Sequence, residues 1–349
     1  MFDLNKLVRK NIRDLIPYSS ARSEYRGKEA LFLDANENPY NIPYNRYPDP
    51  LQVDLKNEIA KIKNVLPEQI FLGNGSDEAI DLILRIFCVP GKDNMITIDP
   101  SYGMYNVCAN INDISIKKVK LLKDFTLPVI DIIENFDRNT KLIFICSPNN
   151  PTSNCFAQDD IIQVIESFNG LVVLDEAYID FAPGKSLLPK LNNYPNLIIL
   201  QTFSKAWGMA GIRLGMAFAM KEIVNLMNSV KYPYNVNSLS LEVALKNIKN
   251  LNKKDEWVEK LLIERENLRL ALRSLDIVEK VLHSDSNFLM AKFSNSKKVY
   301  NYLVDKKIIV RDRSKATLCD GFLRITVGSQ AENLLLISAL REYQNNLNE

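Results

Sequence analysis

The middle of the chain alternates between short strand-like runs, most of them continuously apolar, and segments with helical periodicity. The strand-like runs are Ile70–Leu72, Met95–Ile98, Ile114–Val119, Leu142–Cys146, Leu171–Leu174, Leu197–Leu200 and Met216–Ala219. The helical segments between them are Ser76–Phe87, Gly103–Ile111, Pro128–Phe136 and Gln158–Phe168. Apolar strands joined by helices predict an α/β fold with a mostly parallel sheet that is covered on both faces.

The pattern changes at two points along the chain. The first 46 residues are rich in Pro, Asn and Tyr and weakly periodic, which predicts an arm rather than a core element. Two long helical stretches, Leu239–Asn250 and Lys254–Leu275, end the middle part. Beyond Asp276 the strands Val278–Leu282, Phe288–Phe293, Ile308–Val310 and Phe322–Thr326 are interspersed with helices at Ser296–Lys306 and Glu332–Asn345. We therefore expect an arm at 1–46 that contributes to the small domain, a large domain at 47–275 and a small α/β domain at 276–349.

The amino-acid composition excludes several classes of partner and site. The 44 basic and 42 acidic residues give a formal charge of +2, so neither nucleic acid nor an anionic membrane is indicated as a partner. The five cysteines are scattered and form no CxxC pair, which argues against a disulfide framework or a zinc site and favours a reducing, cytoplasmic location. The amphipathic N-terminus is unlike a secretory signal, and no apolar run is long enough to span a bilayer. The single histidine, His283, excludes a mechanism that needs two imidazoles.

The segment from Thr202 to Arg213 carries the clearest chemical signal. Lys205 follows a predicted strand and lies among apolar residues and glycines, where burial can lower the pKa of an amine enough for it to act as a nucleophile. Thr202, Ser204 and Arg213 supply two hydroxyls and a cation, a set suited to holding a phosphate. The competing interpretation is an ordinary solvated loop.

Three further segments place polar groups at strand ends or helix starts. Asp175 ends a predicted buried strand, where open α/β sheets bind ligands, although it could merely cap the next turn. Asn150 lies in a Ser-Pro-Asn-Asn-Pro-Thr loop, which is also compatible with a simple turn. Gly75-Ser76-Asp77 opens a predicted helix and offers backbone N–H groups to an anion, or only a Ser cap. No phosphate loop of the GxxxxGK[ST] type precedes Asp175-Glu176, so ATP hydrolysis is excluded.

Taken together, these motifs resemble the fold type I, pyridoxal-phosphate (PLP)-dependent aminotransferases of class II. Within them the chain is most similar to the histidinol-phosphate aminotransferase family. The similarity extends over roughly residues 10–330. It rests on the segments 13–22, 33–40, 45–49, 75–78, 101–102, 150–152, 175–178, 202–213 and 322–328.

The resemblance implies a large PLP domain with a mostly parallel sheet, a smaller α/β domain, and specific roles at the cofactor. Lys205 would form the Schiff base with PLP and transfer protons, Asp175 would pair with the pyridine nitrogen, and Tyr178 would tune the ring. Catalytic residues would thus be Lys205, Asp175 and Tyr178. The residues implied to bind the cofactor are Gly75, Ser76, Asp77, Tyr102, Asn150, Asp175, Tyr178, Thr202, Ser204, Lys205 and Arg213. No metal is expected.

The resemblance also implies the substrates: L-histidinol phosphate and 2-oxoglutarate, converted to imidazole-acetol phosphate and L-glutamate by a ping-pong mechanism in histidine biosynthesis. Arg324 would bind the glutamate carboxylate and the substrate phosphate in turn. Arg311 and Tyr18 would assist with the phosphate, although Arg311 could instead form a surface ion pair. Asn36 would line the substrate pocket. Tyr47 would reach in from the partner subunit of a homodimer, and the arm at 1–46 would contribute to the dimer contact.

Other functions on the same fold stay open at this point. A decarboxylase of a phosphorylated amino acid, such as threonine phosphate, would share nearly every PLP residue. An aromatic amino-acid aminotransferase would not need Arg311 and Tyr18 for a phosphate. A PLP-sensing transcription regulator is disfavoured, because the motifs begin within twenty residues of the start and leave no room for a DNA-binding module. One departure from the family pattern is Ser153, which stands where glycine is usual and would be strained if φ is positive.

Overall fold

A computed structural model describes residues 2–18 and 30–348 of the chain. Within this part, seven strands form a large sheet in the order β1-β7-β6-β5-β4-β2-β3. These strands are β1 (Ile70–Asn74), β2 (Asn94–Asp99), β3 (Ser115–Lys120), β4 (Thr140–Cys146), β5 (Leu171–Asp175), β6 (Leu197–Thr202) and β7 (Leu214–Phe218).

The direction of the strands decides where a ligand can bind. Strands β2 to β6 pair in parallel, and β7 runs antiparallel to both β1 and β6. Every residue of β5 and β6 is buried, as their apolar sequences predict. The carboxyl ends of β4, β5 and β6 therefore meet at one edge of the sheet, the usual ligand site in such folds. The prediction of a mostly parallel central sheet is confirmed.

Helices cover both faces of the large sheet and precede the small one. Two short helices, α1 (Leu4–Leu7) and α2 (Lys10–Arg13), begin the chain. The helices between and after the strands of the large sheet are α3 (Val53–Lys63), α4 (Gly75–Phe87), α5 (Met104–Ile111), α6 (Val129–Glu134), α7 (Gln158–Ser167), α8 (Lys221–Val230), α9 (Ser238–Ile248) and α10 (Leu251–Arg273). Short 3₁₀ helices occupy Pro67–Gln69, Ile179–Phe181, Leu188–Asn193 and Ala210–Ile212.

The described C-terminal part contains a second, antiparallel sheet in the order β10-β11-β9-β8. Its elements are β8 (Val278–Val281), β9 (Phe288–Phe293), α11 (Ser296–Asp305), β10 (Arg311–Asp312), β11 (Phe322–Thr326) and α12 (Gln330–Asn348). An apolar core shared by α10, α11, α12 and this sheet is separate from the two cores that flank the large sheet. The placement of a domain boundary at 275/276 stays a prediction.

The predicted strand Ile308–Val310 is wrong, because the strand begins only at Arg311. The end of α11 explains the shift. Lys307 adopts φ = 63°, and the N–H of Ile308 donates back to the carbonyl of Leu303 at 2.8 Å. This is the hydrogen-bond pattern that closes a helix at a left-handed residue. The N–H of Ile308 is therefore used at the helix end and is not available for pairing in the sheet.

The start of the arm packs on the large sheet's side, and the contribution of the arm to the small domain stays a prediction. Val8 is buried in the core that contains α4, and the N–H of Arg9 donates to the carbonyl of Ile86 at 3.1 Å. The guanidinium of Arg9 also donates to the carbonyl of Arg85 at 2.8 Å. Throughout residues 2–18 and 30–348, no helix combines the length and apolar character that crossing a membrane requires.

Gly215 on β7 allows α4 to begin directly against the sheet. A Cβ at this position would lie 2.1 Å from the nitrogen of Ser76 and 2.3 Å from the carbonyl carbon of Gly75. Contacts this short cannot be relieved by a side-chain movement, because both atoms belong to the backbone of the helix start.

We predict that Gly215→Ala lowers the free energy of unfolding by about 1–3 kcal/mol, the usual cost of overpacking. Gly211→Ala is the matched control, because a Cβ there meets no atom within 4 Å. Its effect should stay within about 0.5 kcal/mol. Urea unfolding at one fixed protein concentration measures both. Equal midpoints for the two variants would show that the close approach is not required.

Candidate active site

A pocket opens at the edge of the large sheet where β4, β5 and β6 end. All of the residues that the sequence analysis assigned to cofactor binding line it. The lining residues are Gly75, Ser76, Asp77, Tyr102, Cys146, Asn150, Asp175, Ala177, Tyr178, Thr202, Ser204, Lys205, Ala210 and Arg213. Segments that are far apart in sequence are thus brought together by the parallel order of the strands.

Asp175, at the end of β5, forms the buried floor of the pocket. Its carboxylate accepts hydrogen bonds from Tyr105 Oη at 2.6 Å and from the N–H of Ala177 at 3.0 Å. Burial raises the pKa of Asp175, and these two hydrogen bonds oppose the rise because they favour the charged form. Among the described residues no cationic group lies within 4 Å of this carboxylate. A buried carboxylate of this kind is a strong acceptor for a cationic ligand group.

Tyr105 is a site residue that the sequence analysis missed. It lies on α5, three residues after Tyr102, which precedes the helix, and the two rings meet edge to face with centroids 5.5 Å apart. The ring of Tyr105 also stacks on Phe144 at 4.9 Å and is completely buried. The sequence did hold a signal for Tyr105, because it follows Tyr102 by only three residues. A buried tyrosine hydroxyl needs a polar partner, so such a residue indicates a polar group nearby.

Lys205 lies just beyond the end of β6 and is the lysine of the described chain that lines the pocket. Its ammonium lies 5.5 Å from the centre of the Tyr178 ring. Burial lowers the pKa of Lys205, and the neighbouring positive charge of Arg324 lowers it further, whereas Asp175 acts in the opposite direction. A larger fraction of the amine is therefore neutral, and hence nucleophilic, than at an exposed lysine.

The start of α4 lies beside Arg213 and presents backbone donors that suit an anion. Gly75 has φ = +73°, and a Cβ there would lie 2.9 Å from a terminal nitrogen of Arg213. The backbone N–H groups of Ser76 and Asp77 point out of the first turn of this 13-residue helix. Arg213 lies 3.6 Å from the Asp77 carboxylate, which also accepts a hydrogen bond from Tyr102 at 3.1 Å.

The hydroxyls after β6 complete this end of the pocket. Thr202 Oγ1 accepts a hydrogen bond from the N–H of Ser204 at 3.1 Å and lies at the same distance from Ser204 Oγ. Thr202 thereby holds the turn, and the hydroxyl of Ser204 lines the pocket on the same side as Arg213. Together with the helix start, these groups provide backbone N–H, hydroxyl and guanidinium donors, which is the donor set of a phosphate site.

Asn150 and Tyr178 line the opposite side of the pocket, and Arg324 contacts Asn150 from behind this lining. The Asn150 amide donates to Tyr178 Oη at 3.4 Å, and its oxygen accepts from Arg324 at 2.6 Å. The guanidinium of Arg324 lies 5.2 Å from the centre of the Phe288 ring, which packs edge to face on Tyr178. Burial raises the pKa of Tyr178, so its hydroxyl keeps its proton at neutral pH. Arg324 on the small sheet is thus linked to the loop that follows β4.

Ser153 has φ = 68°, so the positive backbone angle considered from the sequence is present. Ser153 Oγ also lies within hydrogen-bond distance of two carbonyl oxygens, 2.6 Å from that of Thr152 and 3.0 Å from that of His283, which share its one hydroxyl proton. The Ser153 carbonyl accepts from the N–H of Asp285 at 2.7 Å. A glycine would avoid the strain but would lose the side-chain contacts between this loop and the segment after β8.

None of the five predicted substrate residues is among those that line the Lys205 pocket in the described protomer, although Arg324 contacts the lining residue Asn150. Arg311 is directly opposite Arg324 in the β10–β11 pair but is exposed. Tyr18 is also exposed, and the 13–22 motif continues from it into residues outside the described part. Asn36 and Tyr47 line a second cavity that shares no residue with the Lys205 pocket, and Tyr47 stacks on Tyr234 at 4.5 Å.

Arg313 is a second residue that the sequence analysis missed. Its guanidinium lies 3.4 Å from the same Asn150 oxygen that Arg324 contacts. Its Nε is buried and has no hydrogen-bond partner among the described residues. The alternation Arg311-Asp312-Arg313 was the available signal, because residues two apart in a strand share a face.

Comparison with known proteins now identifies the family. A family model described as "Aminotransferase class I and II" matches residues 31–340. The chain belongs to the class I and II aminotransferase family. Two curated relatives are named histidinol-phosphate aminotransferase. The one from Bacteroides fragilis is 54% identical over 345 residues, which is 99% of this chain and 100% of the relative. The one from Cytophaga hutchinsonii is 52% identical over 346 residues, which is 98% of this chain and 99% of the relative.

Solved aminotransferases share the fold. The histidinol-phosphate aminotransferase from Clostridium acetobutylicum superposes with a TM-score of 0.80 at 26% identity, covering 87% of this chain and 92% of that one. The Sinorhizobium meliloti enzyme, solved in complex with pyridoxal-5'-phosphate, gives 0.80 at 23% identity, covering 86% and 83%. Within the aminotransferase family the chain therefore groups with the histidinol-phosphate aminotransferases, and the fold type I assignment is confirmed.

The pocket of this aminotransferase suits PLP by the chemistry of its donors. PLP carries a phosphate, a ring nitrogen that can be protonated, and a carbonyl that reacts with an amine. The pocket supplies a phosphate donor set at the start of α4, the buried Asp175 carboxylate without a cationic partner in the described chain, and the partly buried Lys205 amine. Each functional group of the cofactor thus has a matching group in the protein.

Proposed function

We propose that this aminotransferase interconverts L-histidinol phosphate plus 2-oxoglutarate and imidazole-acetol phosphate plus L-glutamate, with PLP as cofactor. The observation that carries the proposal is the arrangement of opposite charges around Lys205. The Asp175 carboxylate lies on the floor of the pocket, and the Arg324 guanidinium lies on its opposite side through Asn150. A substrate amine that carries an anionic group fits between Lys205 and Arg324. The names of relatives with about half of their residues identical support histidinol phosphate in particular.

The cofactor side of the proposal assigns the following roles. Bound PLP supplies an electron sink for the bond that breaks at the substrate Cα. Asp175 would hold the proton on the ring nitrogen, and Tyr178 and Asn150 would donate hydrogen bonds to the ring oxygen. Tyr102 would contact the ring face. The phosphate would be held by Ser204, Arg213, Thr202 and the start of α4 at Gly75, Ser76 and Asp77.

Lys205 would perform the proton transfer. Its amine is partly buried, and its lowered pKa keeps more of it neutral near pH 7, so that Nζ can accept the proton from the substrate Cα. Arg324 would bind the α-carboxylate of glutamate in one half-reaction and the phosphate of histidinol phosphate in the other, because a guanidinium fork matches either oxyanion. We retain Arg311, Tyr18 and Asn36 as proposed substrate residues.

We further propose a homodimer in which Tyr47 enters the partner's active site. In the described protomer, Tyr47 lines a cavity separate from the Lys205 pocket and is 51% exposed. The same stretch of chain exposes several large apolar side chains, which is typical of a surface that another subunit covers. They are Leu31, Leu33, Tyr40, Ile42 and Tyr44. The free thiols of the described cysteines support the proposed cytoplasmic location.

The half-reaction tests the proposed substrate. We expect one equivalent of L-histidinol phosphate, added to PLP-loaded protein without a keto acid, to change the cofactor absorbance and release imidazole-acetol phosphate. Addition of 2-oxoglutarate should then form glutamate and restore the original spectrum. Lys205→Ala should reduce turnover by about 100- to 10,000-fold, the usual contribution of acid–base catalysis. Mutation of the exposed Lys221 to Ala is the matched control and should leave turnover unchanged.

Two results would contradict the proposal. An unchanged spectrum in PLP-loaded protein would remove histidinol phosphate as the substrate. Release of CO₂ from O-phosphothreonine would then favour a decarboxylase, and amination of 2-oxoglutarate by phenylalanine would favour an aromatic aminotransferase. Full turnover by Lys205→Ala would remove the proposed role of this lysine.

Subunit mixing tests the position of Tyr47. We expect Lys205→Ala and Tyr47→Ala subunits, each weakly active alone, to recover activity when they are refolded or co-expressed together. A mixed dimer then contains one site with Lys205 from one subunit and Tyr47 from the other. Random pairing makes half of the dimers mixed, so recovery should approach about a quarter of the native activity per subunit. Absence of recovery, with mixed dimers verified by mass, would show that Tyr47 acts in its own subunit or not at all.

A further inference from the structure

The edge of the small sheet that contacts Asn150 carries an unbalanced positive charge. Arg311 pairs directly with Arg324 across β10 and β11, so both side chains stand on the same face of the sheet. The N–H of Arg313 donates to the carbonyl of Phe322 at 3.0 Å, which continues the pairing by one residue. Because strand residues two apart share a face, Arg313 joins Arg311 and Arg324 there.

No carboxylate compensates these three guanidinium groups within the part of the chain that the structure describes. None of them lies within 4 Å of an acidic side chain. Asp312 lies between Arg311 and Arg313 in the sequence but does not pair with either. Its carboxylate instead accepts hydrogen bonds from the N–H and the hydroxyl of Ser314 at 2.8 and 2.6 Å. Burial and the charges of Arg324 and Arg311 all lower the pKa of Arg313, so an anion between them would be stabilised.

The contact with Asn150 does not account for all of the hydrogen-bond donors of Arg313. Its contact with the Asn150 oxygen is long, at 3.4 Å, whereas Arg324 already contacts that oxygen at 2.6 Å. Arg313 Nε is buried without a partner in the described chain. A buried N–H donor on a guanidinium is costly to leave unsatisfied. The protein contacts of Arg313 within the described chain therefore leave the hydrogen-bonding capacity of its guanidinium incompletely used.

We propose that Arg313 is a substrate-binding residue that, together with Arg324, binds the doubly charged phosphate of a phosphorylated amine and so determines specificity for it. This inference rests on the proposed function. A carboxylate has two oxygens, which the fork of one guanidinium satisfies. A phosphate monoester has three terminal oxygens and a charge near −2, so it uses a second guanidinium that glutamate does not need.

The test compares two substrates in the PLP-loaded enzyme. Arg313→Gln should lower kcat/KM for L-histidinol phosphate by about 10- to 100-fold, the range expected for loss of a hydrogen bond to a charged group. The kcat/KM for L-glutamate should change by less than about threefold, because Arg324 remains. Lys315→Gln removes one exposed positive charge from the same loop and is the matched control, with both values expected to stay near those of the native enzyme.

Inorganic phosphate provides a readout that does not depend on histidinol phosphate being the substrate. It should inhibit the glutamate half-reaction competitively, and Arg313→Gln should raise its inhibition constant by about tenfold or more. Arg313→Lys, which keeps the charge but loses the fork, should give an intermediate increase and serves if the glutamine variant does not fold. If native enzyme ignores histidinol phosphate yet its phosphate inhibition depends on Arg313, the proposed function fails and the inference stands.

Two outcomes would overturn the inference. Equal losses in kcat/KM for both substrates would show that Arg313 only positions Asn150. An unchanged inhibition constant for phosphate in both Arg313 variants would show that its guanidinium does not bind the anion.

Discussion

The buried carboxylate of Asp175 is the constraint on which the rest of the site depends. A charge on the floor of a pocket at the end of an apolar strand is unfavourable unless hydrogen bonds or a cation stabilise it. Tyr105 and the Ala177 backbone supply two hydrogen bonds, and within the described chain the remaining stabilisation is left to a ligand. The parallel order of β4, β5 and β6 then brings Asn150 and Lys205 to the same edge. The cofactor pocket thus follows from strand order and one buried acid.

The acidic side chain and the arginines lie in different parts of the site, and this separation of charge suits the proposed reaction. The acid lies under the cofactor pocket, whereas Arg313 and Arg324 come from the small sheet and approach through Asn150. The pKa of Lys205 responds to both groups, because Arg324 lowers it and Asp175 raises it. Binding of an anionic substrate at the arginines would therefore also change the electrostatic environment of the amine. The loop contacts of Ser153 connect the two parts of the chain that carry these charges.

The sequence predicted the fold class and the cofactor pocket well, because both follow from local patterns. Apolar runs between helices indicate a parallel sheet, and polar residues at the ends of such runs must meet at one edge. Tyr105 and Arg313 were missed because their roles depend on which side chains a helix face or a strand register brings together. The strand start was misplaced at Ile308 because the end of α11 uses that backbone for its own closure. Asn36 and Tyr47 line a cavity of their own, and their proposed roles depend on a second subunit that no single-chain pattern shows.

The central claim is that Lys205 is the residue that bonds covalently to the cofactor. Reduction of the PLP-loaded protein with borohydride, followed by proteolysis and mass spectrometry, tests it directly. The structure predicts one cofactor-bearing peptide that contains Lys205, the lysine that lines the pocket in the described chain. Attachment at a different lysine, or no attachment in protein that retains PLP, would contradict the account.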